Sequence, residues 1–192
     1  MLSGYTTVEG VNLNGSNTTI NNGTVDVSFV GIAKDGSGSV AGITVGNSGF
    51  AFQSTGNNSN VTSTVGSPQT WATVLDRVIG DYNSPWGQIS LTGLTEGNDY
   101  YVQFFSSAPD ANILSDSIIT SGDVASPAFG NHASGATRYI IVTFTADGPS
   151  QTFTVSGTEP TYSALVVGIP EPATLGLLAL GGLAIIRRRK SA

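Results

Sequence analysis

The side chains that most often perform chemistry are scarce in this chain, which has one histidine, His132, and no cysteine. His132 lies in Gly130-Asn-His-Ala-Ser-Gly135, a loop by composition, where a lone imidazole is ordinarily a solvated polar group. Composition alone excludes three-His and Cys/His zinc sites. A Ser-His-Asp triad would lack its Gly-x-Ser-x-Gly elbow, and no Asp-x-Asp-x-Asp loop offers itself to calcium. The carboxylates Asp76, Asp81, Asp110, Asp116 and Asp123 would have to converge to hydrolyse a glycoside, and nothing in their spacing argues that they do. The expectation is a non-enzymatic chain with no catalytic residue, no metal site and no cofactor.

Aromatic residues on loops offer a different chemistry. Tyr82 and Trp86 lie in the polar, Pro-containing stretch Asp81-Tyr-Asn-Ser-Pro-Trp-Gly87. A loop Trp beside Asn and Asp can stack on the apolar face of a sugar while its neighbours bond the hydroxyls. The competing reading tucks Trp86 over the edge of the fold. Both stay open.

The final residues carry a more specific pattern. Pro170-Glu171-Pro172 is followed by the uncharged run Ala173–Ile186 and then by Arg187, Arg188, Arg189 and Lys190. Pro172 is placed to start a helix. Those apolar residues, rich in Leu and Ala, would reach about 21 Å as a helix, against a hydrocarbon core of roughly 30 Å. Snorkelling arginines extend that reach. Four adjacent cations belong on the cytoplasmic side, which puts everything before Ala173 across the membrane. The alternative, a buried helix of a soluble domain, would need a polar face that this run lacks.

This order of parts, Ile169-Pro170-Glu171-Pro172-Ala173-Thr174-Leu175, then an apolar helix, then an Arg-rich end, resembles the PEP-CTERM sorting signal of Gram-negative bacteria. The resemblance implies processing by an exosortase, a multi-spanning membrane enzyme with a catalytic cysteine, as the partner of Pro170, Glu171 and Pro172. It also implies passage from the inner membrane to the cell surface or the exopolysaccharide matrix. The residues of the motif are then substrate, not catalyst.

Export calls for an N-terminal signal, yet Met1-Leu-Ser-Gly-Tyr-Thr6 has neither a basic region nor an apolar run. A truncated or misplaced start and a mature-like chain are the two explanations. The absence of cysteine removes any disulfide framework. Before Pro170 stand twelve acids and three bases, Lys34, Arg77 and Arg138, so nucleic acid is a poor partner on electrostatic grounds. Asn14, Asn17, Asn22, Asn57 and Asn60 begin Asn-x-Ser/Thr triplets, which chance also supplies in a chain so rich in these residues.

What must position the loops is mostly strand. Thr24–Val30 alternates, as does Gln88–Thr92. Tyr100–Phe105 follows the turn Glu96-Gly-Asn98. Arg138–Thr145 is the strongest strand, and Ala146-Asp-Gly-Pro149 turns it into Gln151–Val155, while Tyr162–Val167 closes the set. Ile43–Val45 and Phe50–Phe52 flank Gly46-Asn-Ser-Gly49 and read as a hairpin. Trp71, Val74, Leu75, Val78 and Ile79 share one helical face, capped by Thr70 and Gly80, which predicts one short helix near 71–79 with Trp71 in the core.

The expected fold is all-β, an antiparallel β-sandwich of jelly-roll type with that helix and a C-terminal transmembrane-type helix. The segment Ile89–Phe105, with Thr-Phe-Thr-Ala-Asp-Gly at 143–148, resembles galactose-binding-like jelly rolls of exported bacterial proteins. That likeness implies carbohydrate contact without designating a ligand residue. The expected organisation is an exported domain at 1–167 and a sorting signal at 168–192. The expected role is structural or adhesive in an exopolysaccharide-associated envelope. The alternatives are a carbohydrate-binding module and, behind it, a secreted hydrolase.

Overall fold

The computed structural model describes residues 5–21, 26–50, 52–54, 74, 78–80, 87–107, 116–130, 137–157 and 160–170. In chain order its strands are β1 (Tyr5–Leu13), β2 (Thr18–Asn21), β3 (Asp26–Ile32), β4 (Ser37–Val40), β5 (Ile43–Ser48) and β6 (Phe52–Ser54). There follow β7 (Val78–Gly80), β8 (Gly87–Thr92), β9 (Asp99–Ser107), β10 (Asp116–Ser121) and β11 (Val124–Ala125). The last are β12 (Phe129–Gly130), β13 (Thr137–Thr145), β14 (Ser150–Ser156), β15 (Thr161–Tyr162) and β16 (Ala164–Pro170).

Alternation decides which way each strand faces. β8 buries Gly87, Ile89 and Leu91 and turns Gln88, Ser90 and Thr92 outward, as a half-buried strand must. It sits between β14 and β5 in a sheet ordered β11-β10-β14-β8-β5-β4, with β12 also paired to β10. The opposing sheet runs β13-β9-β16-β1-β3-β2, antiparallel except where β1 and β3 run parallel. Val11, Val45, Ile89, Leu91, Val102, Phe104, Phe153 and Leu165 meet between the two sheets with no exposure to solvent. Phe104 packs edge-on against Phe153 at 5.4 Å between ring centroids. The fold is thus an all-β sandwich with almost no helix among the described residues.

A second apolar cluster lies on the other face of the six-stranded sheet, where Ile20, Val27, Phe29, Phe105, Ala164 and Val166 gather with Val74. β9 and β16 are therefore covered on both faces, which explains why Tyr100–Phe105 is apolar except at Gln103 rather than alternating.

The two Gly-containing turns read from the sequence are both present, but they join strands of opposite sheets. β8 crosses to β9 through residues 93–98, and β13 crosses back to β14 through residues 146–149. The crossings are tied together: Gly97 N–H donates to Ala146 C=O at 2.8 Å, Ala146 N–H to Asn98 C=O at 2.9 Å, and Gly93 N–H to Pro149 C=O at 2.9 Å.

Two expectations are corrected. Residues 43–52 do not form a hairpin, because Gly46 and Asn47 continue β5, which pairs with β4 through the two-residue turn Ala41-Gly42. Phe52 opens β6, which pairs with β7 in a small sheet ordered β15-β7-β6. The helix expected near 71–79 does not reach its end, since Val78 and Ile79 are in β7, with Ile79 opposite Tyr162 of β15. Val74 alone of that segment is described as helical, and it is buried. Trp71 and Leu75 lie outside the described residues, as does the apolar run Ala173–Ile186. Among the described residues no helix is long and apolar enough to cross a membrane.

Candidate functional site

The strand that leads into the sorting pattern is central rather than peripheral. β16 lies between β9 and β1, and Ala164–Val167 are buried. Its last partner on β9 is Tyr101, opposite Gly168, while the pairing with β1 continues as Thr6↔Ile169 and Tyr5↔Pro170. Gly168 is dictated by packing, because a Cβ there would overlap the ring of Tyr101. Pro170, the last described residue of β16, offers no amide hydrogen to the sheet. Glu171, Pro172 and the basic residues Arg187, Arg188, Arg189 and Lys190 lie outside the described residues.

The opposite end of the sandwich anchors the segments that hold the other candidate residues. Gly80 pairs with Thr161, and Gly87 begins β8 with the ring of Phe50 over its α-carbon, so both flanks of Asp81–Trp86 are held in sheets. Ser107 and Thr137 pair with one another at the same end, where Asp116 pairs with Gly130. These strand ends flank Asp110 and His132. Tyr82, Trp86, His132, Asp76, Asp81 and Asp110 themselves lie outside the described residues. Asp116 starts β10, whereas Asp123 is exposed in the turn beyond its far end. The five steps from Asp116 to Ser121 span about 17 Å at the rise of a strand, more than the spacing of a glycosidase carboxylate pair. Among the described residues no three histidine, aspartate or glutamate side chains gather closely enough to hold a metal ion.

The outer face of the seven-stranded sheet is largely lined by hydroxyls, with the amide of Gln88 among them. Registered across neighbouring strands are Ser39, Thr44, Thr92 and Ser150 in one row. Ser37, Gly46, Ser90 and Thr152 form the next, and Ser48, Gln88, Thr154 and Thr120 the third. None of these side chains carries a charge. The rows follow from the period-two alternation of each strand, but which strands adjoin is a matter of topology, so no single segment of sequence reveals the surface.

One polar turn was not foreseen. Asp35, with φ at +58°, accepts from Lys34 Nζ at 2.5 Å and from Gly49 N–H at 3.1 Å, and its own N–H donates to Asn47 Oδ1 at 2.8 Å. Asn47, buried, donates through Nδ2 to the carbonyls of Ala33 and Gly36. The bond from Lys34, ahead of its charge and of the Gly49 amide, holds the Asp35 carboxyl below the ordinary carboxylate range. Every group here bonds to another within the turn, so the arrangement shapes the β3–β4 connection rather than offering a site.

No curated protein sequence matches this chain. Its fold is similar to part of β-glucuronidase 2 from Bacteroides uniformis in two solved structures, a calcium-binding mutant (TM-score 0.57) and a complex with a covalently bound aziridine (TM-score 0.54). Each is 10% identical and covers 82% of this chain but 17% of the enzyme. This chain therefore spans less than a fifth of the length of those relatives, and the likeness concerns the β-sandwich. A family 35 carbohydrate binding module from Clostridium thermocellum aligns over 64% of this chain and 90% of its own at 15% identity, with a TM-score of 0.39. At the C-terminus, residues 168–190 match the PEP-CTERM protein-sorting motif, and the chain is a carrier of that signal behind a β-sandwich.

Proposed function

We propose that this chain is exported, held in the inner membrane by Ala173–Ile186 with Arg187–Lys190 in the cytoplasm, and processed by an exosortase at the Pro170-Glu171-Pro172 signal. In this reading residues 1–167 form the exported domain, a jelly roll of galactose-binding type, and residues 168–192 the signal. The mature protein is a non-enzymatic, structural or adhesive component of a cell surface or exopolysaccharide matrix. The observation that carries the reading is the sorting-motif match at 168–190, which starts within the last three residues of the last strand of a β-sandwich. The uncharged rows of Ser, Thr and Gln on the seven-stranded sheet suit contact with a hydrated neutral polymer. Replacing Pro170, Glu171 and Pro172 by alanine is expected to leave the protein in the inner membrane. Normal surface release of that variant would refute the sorting role.

A second reading makes the domain a discrete carbohydrate-binding module acting through Tyr82 and Trp86. It is supported by the anchoring of both flanks of their segment, since binding loops work from rigid scaffolds. Tyr82→Ala and Trp86→Ala would then abolish retention on polysaccharide while the domain stays folded. Unchanged retention would refute this second reading.

A further inference from the structure

The sorting match begins at Gly168, while β16 continues to Pro170. Gly168, Ile169 and Pro170 thus belong both to the folded sheet and to the signal. Their hold on the sheet weakens along the strand. Gly168 is paired on both sides, to Tyr101 and to Thr7. Ile169 and Pro170 are paired, among the described residues, on one side only, to Thr6 and Tyr5. The register of β1 then breaks between Thr7 and Glu9, an irregularity that separates Tyr5–Thr7 from the part of β1 that carries Val11 and Leu13 into the core. Tyr5–Thr7 thus forms a short flap held, among the described residues, by β16 alone, a one-sided contact of the kind that opens at less cost than a core strand.

A site that takes a peptide in extended form bonds the backbone on either side of the residues it recognises. Glu171 directly follows Pro170 in the chain, so a site that bonds the backbone before it must reach into the residues that the flap already covers. We infer that Tyr5–Thr7 and the processing enzyme compete for Gly168–Pro170, and that the flap must lift, as far as the Thr7/Glu9 break, before the signal is engaged. This rests on the exosortase reading above, and it makes the rate of processing a measure of flap opening.

A lock tests it. Directly paired residues on antiparallel strands lie about 4.5–5.5 Å apart at Cα, within the span of a disulfide. The chain has no cysteine to interfere. The full-length Thr6→Cys/Ile169→Cys variant, oxidised before use, is presented to membranes that contain the host's exosortase, together with wild-type chain, with and without reductant. The expected result is processing slowed about tenfold or more in the oxidised variant, equivalent to about 1.4 kcal/mol of suppressed opening, and restored by reduction. Equal rates for oxidised and reduced variant would overturn the competition. Where the cysteine at 169 itself blocks recognition, a Gly-Ser-Gly-Ser insertion between Gly168 and Ile169 decides: faster processing than wild type is expected, and an unchanged rate would overturn the inference. Failure of the wild-type chain to be processed would instead remove the exosortase reading on which it stands.

Discussion

The ring of Tyr101 lies across Gly168 on the adjacent strand, occupying the space that a side chain at 168 would need. The contact couples the buried centre of the six-stranded sheet to the first residue of the sorting signal. Gly168→Ala must displace either the ring or the strand, and is expected to destabilise the exported domain by about 1–3 kcal/mol, the usual cost of overpacking. Urea unfolding of the purified domain measures it, and an unchanged midpoint would show that the ring moves freely.

The turn between β4 and β5 contains strain that can be removed. Ala41 has φ at +49° and Gly42 at +83°, and Ala41 N–H is held by Glu9 Oε2 at 2.6 Å. A left-handed conformation is unfavourable for alanine and easy for glycine. Ala41→Gly relieves about 1–2 kcal/mol of left-handed strain against about 0.5–1 kcal/mol of added chain entropy in the unfolded state, and is expected to stabilise the domain by up to about 1 kcal/mol. A fall in the thermal midpoint would contradict it.

Asn47 is a buried amide whose groups bond Asp35, Ala33 and Gly36. Removing the side chain leaves the Asp35 N–H without its partner, while the carbonyls of Ala33 and Gly36 keep only the backbone amides of Gly36 and Asn47. Asn47→Ala should cost about 1–3 kcal/mol by the penalty for unmet polar groups, read from chemical unfolding.

Asp35 predicts a pH dependence of definite sign. Its folded pKa is depressed, first by the bond from Lys34, so its contribution is present above the ordinary carboxylate value. The contribution disappears as pH falls through the lowered value, which places the loss below about pH 4. Because the group is exposed the effect is small. Comparing acid unfolding of the wild type with that of Asp35→Asn should show a shallower pH slope for the variant, and parallel curves would refute the assignment.

Several strands were legible because their residues carry the pattern locally. β8 alternates, β13 concentrates β-branched and aromatic residues, and Gly97 and Gly148 mark the crossings on either side. β1 was not legible, since Thr, Glu, Gly and Asn interrupt its apolar residues. Gly10 is explained only by its neighbours on β3 and β16, where the ring of Phe29 and the carbonyl oxygen of Leu165 would overlap a Cβ. Val78 and Ile79 sit at helical spacing, yet pairing with Ser54, Gln53 and Tyr162 from distant parts of the chain takes them into β7. Gly46 and Asn47 have the composition of a turn, and long-range pairing to Ser90 and Ile89 makes them strand. The sorting signal is contiguous and could be read directly. The rows of hydroxyls, assembled from five strands, could not.

The most direct test of the account is the intact mass of the protein recovered from the outside of its native host. The account predicts a mass short by the segment beyond the Pro170-Glu171-Pro172 region, with the β-sandwich domain whole. A mass that still includes Ala173–Ala192 would show that the apolar run serves as a plain membrane anchor, and would contradict processing by an exosortase.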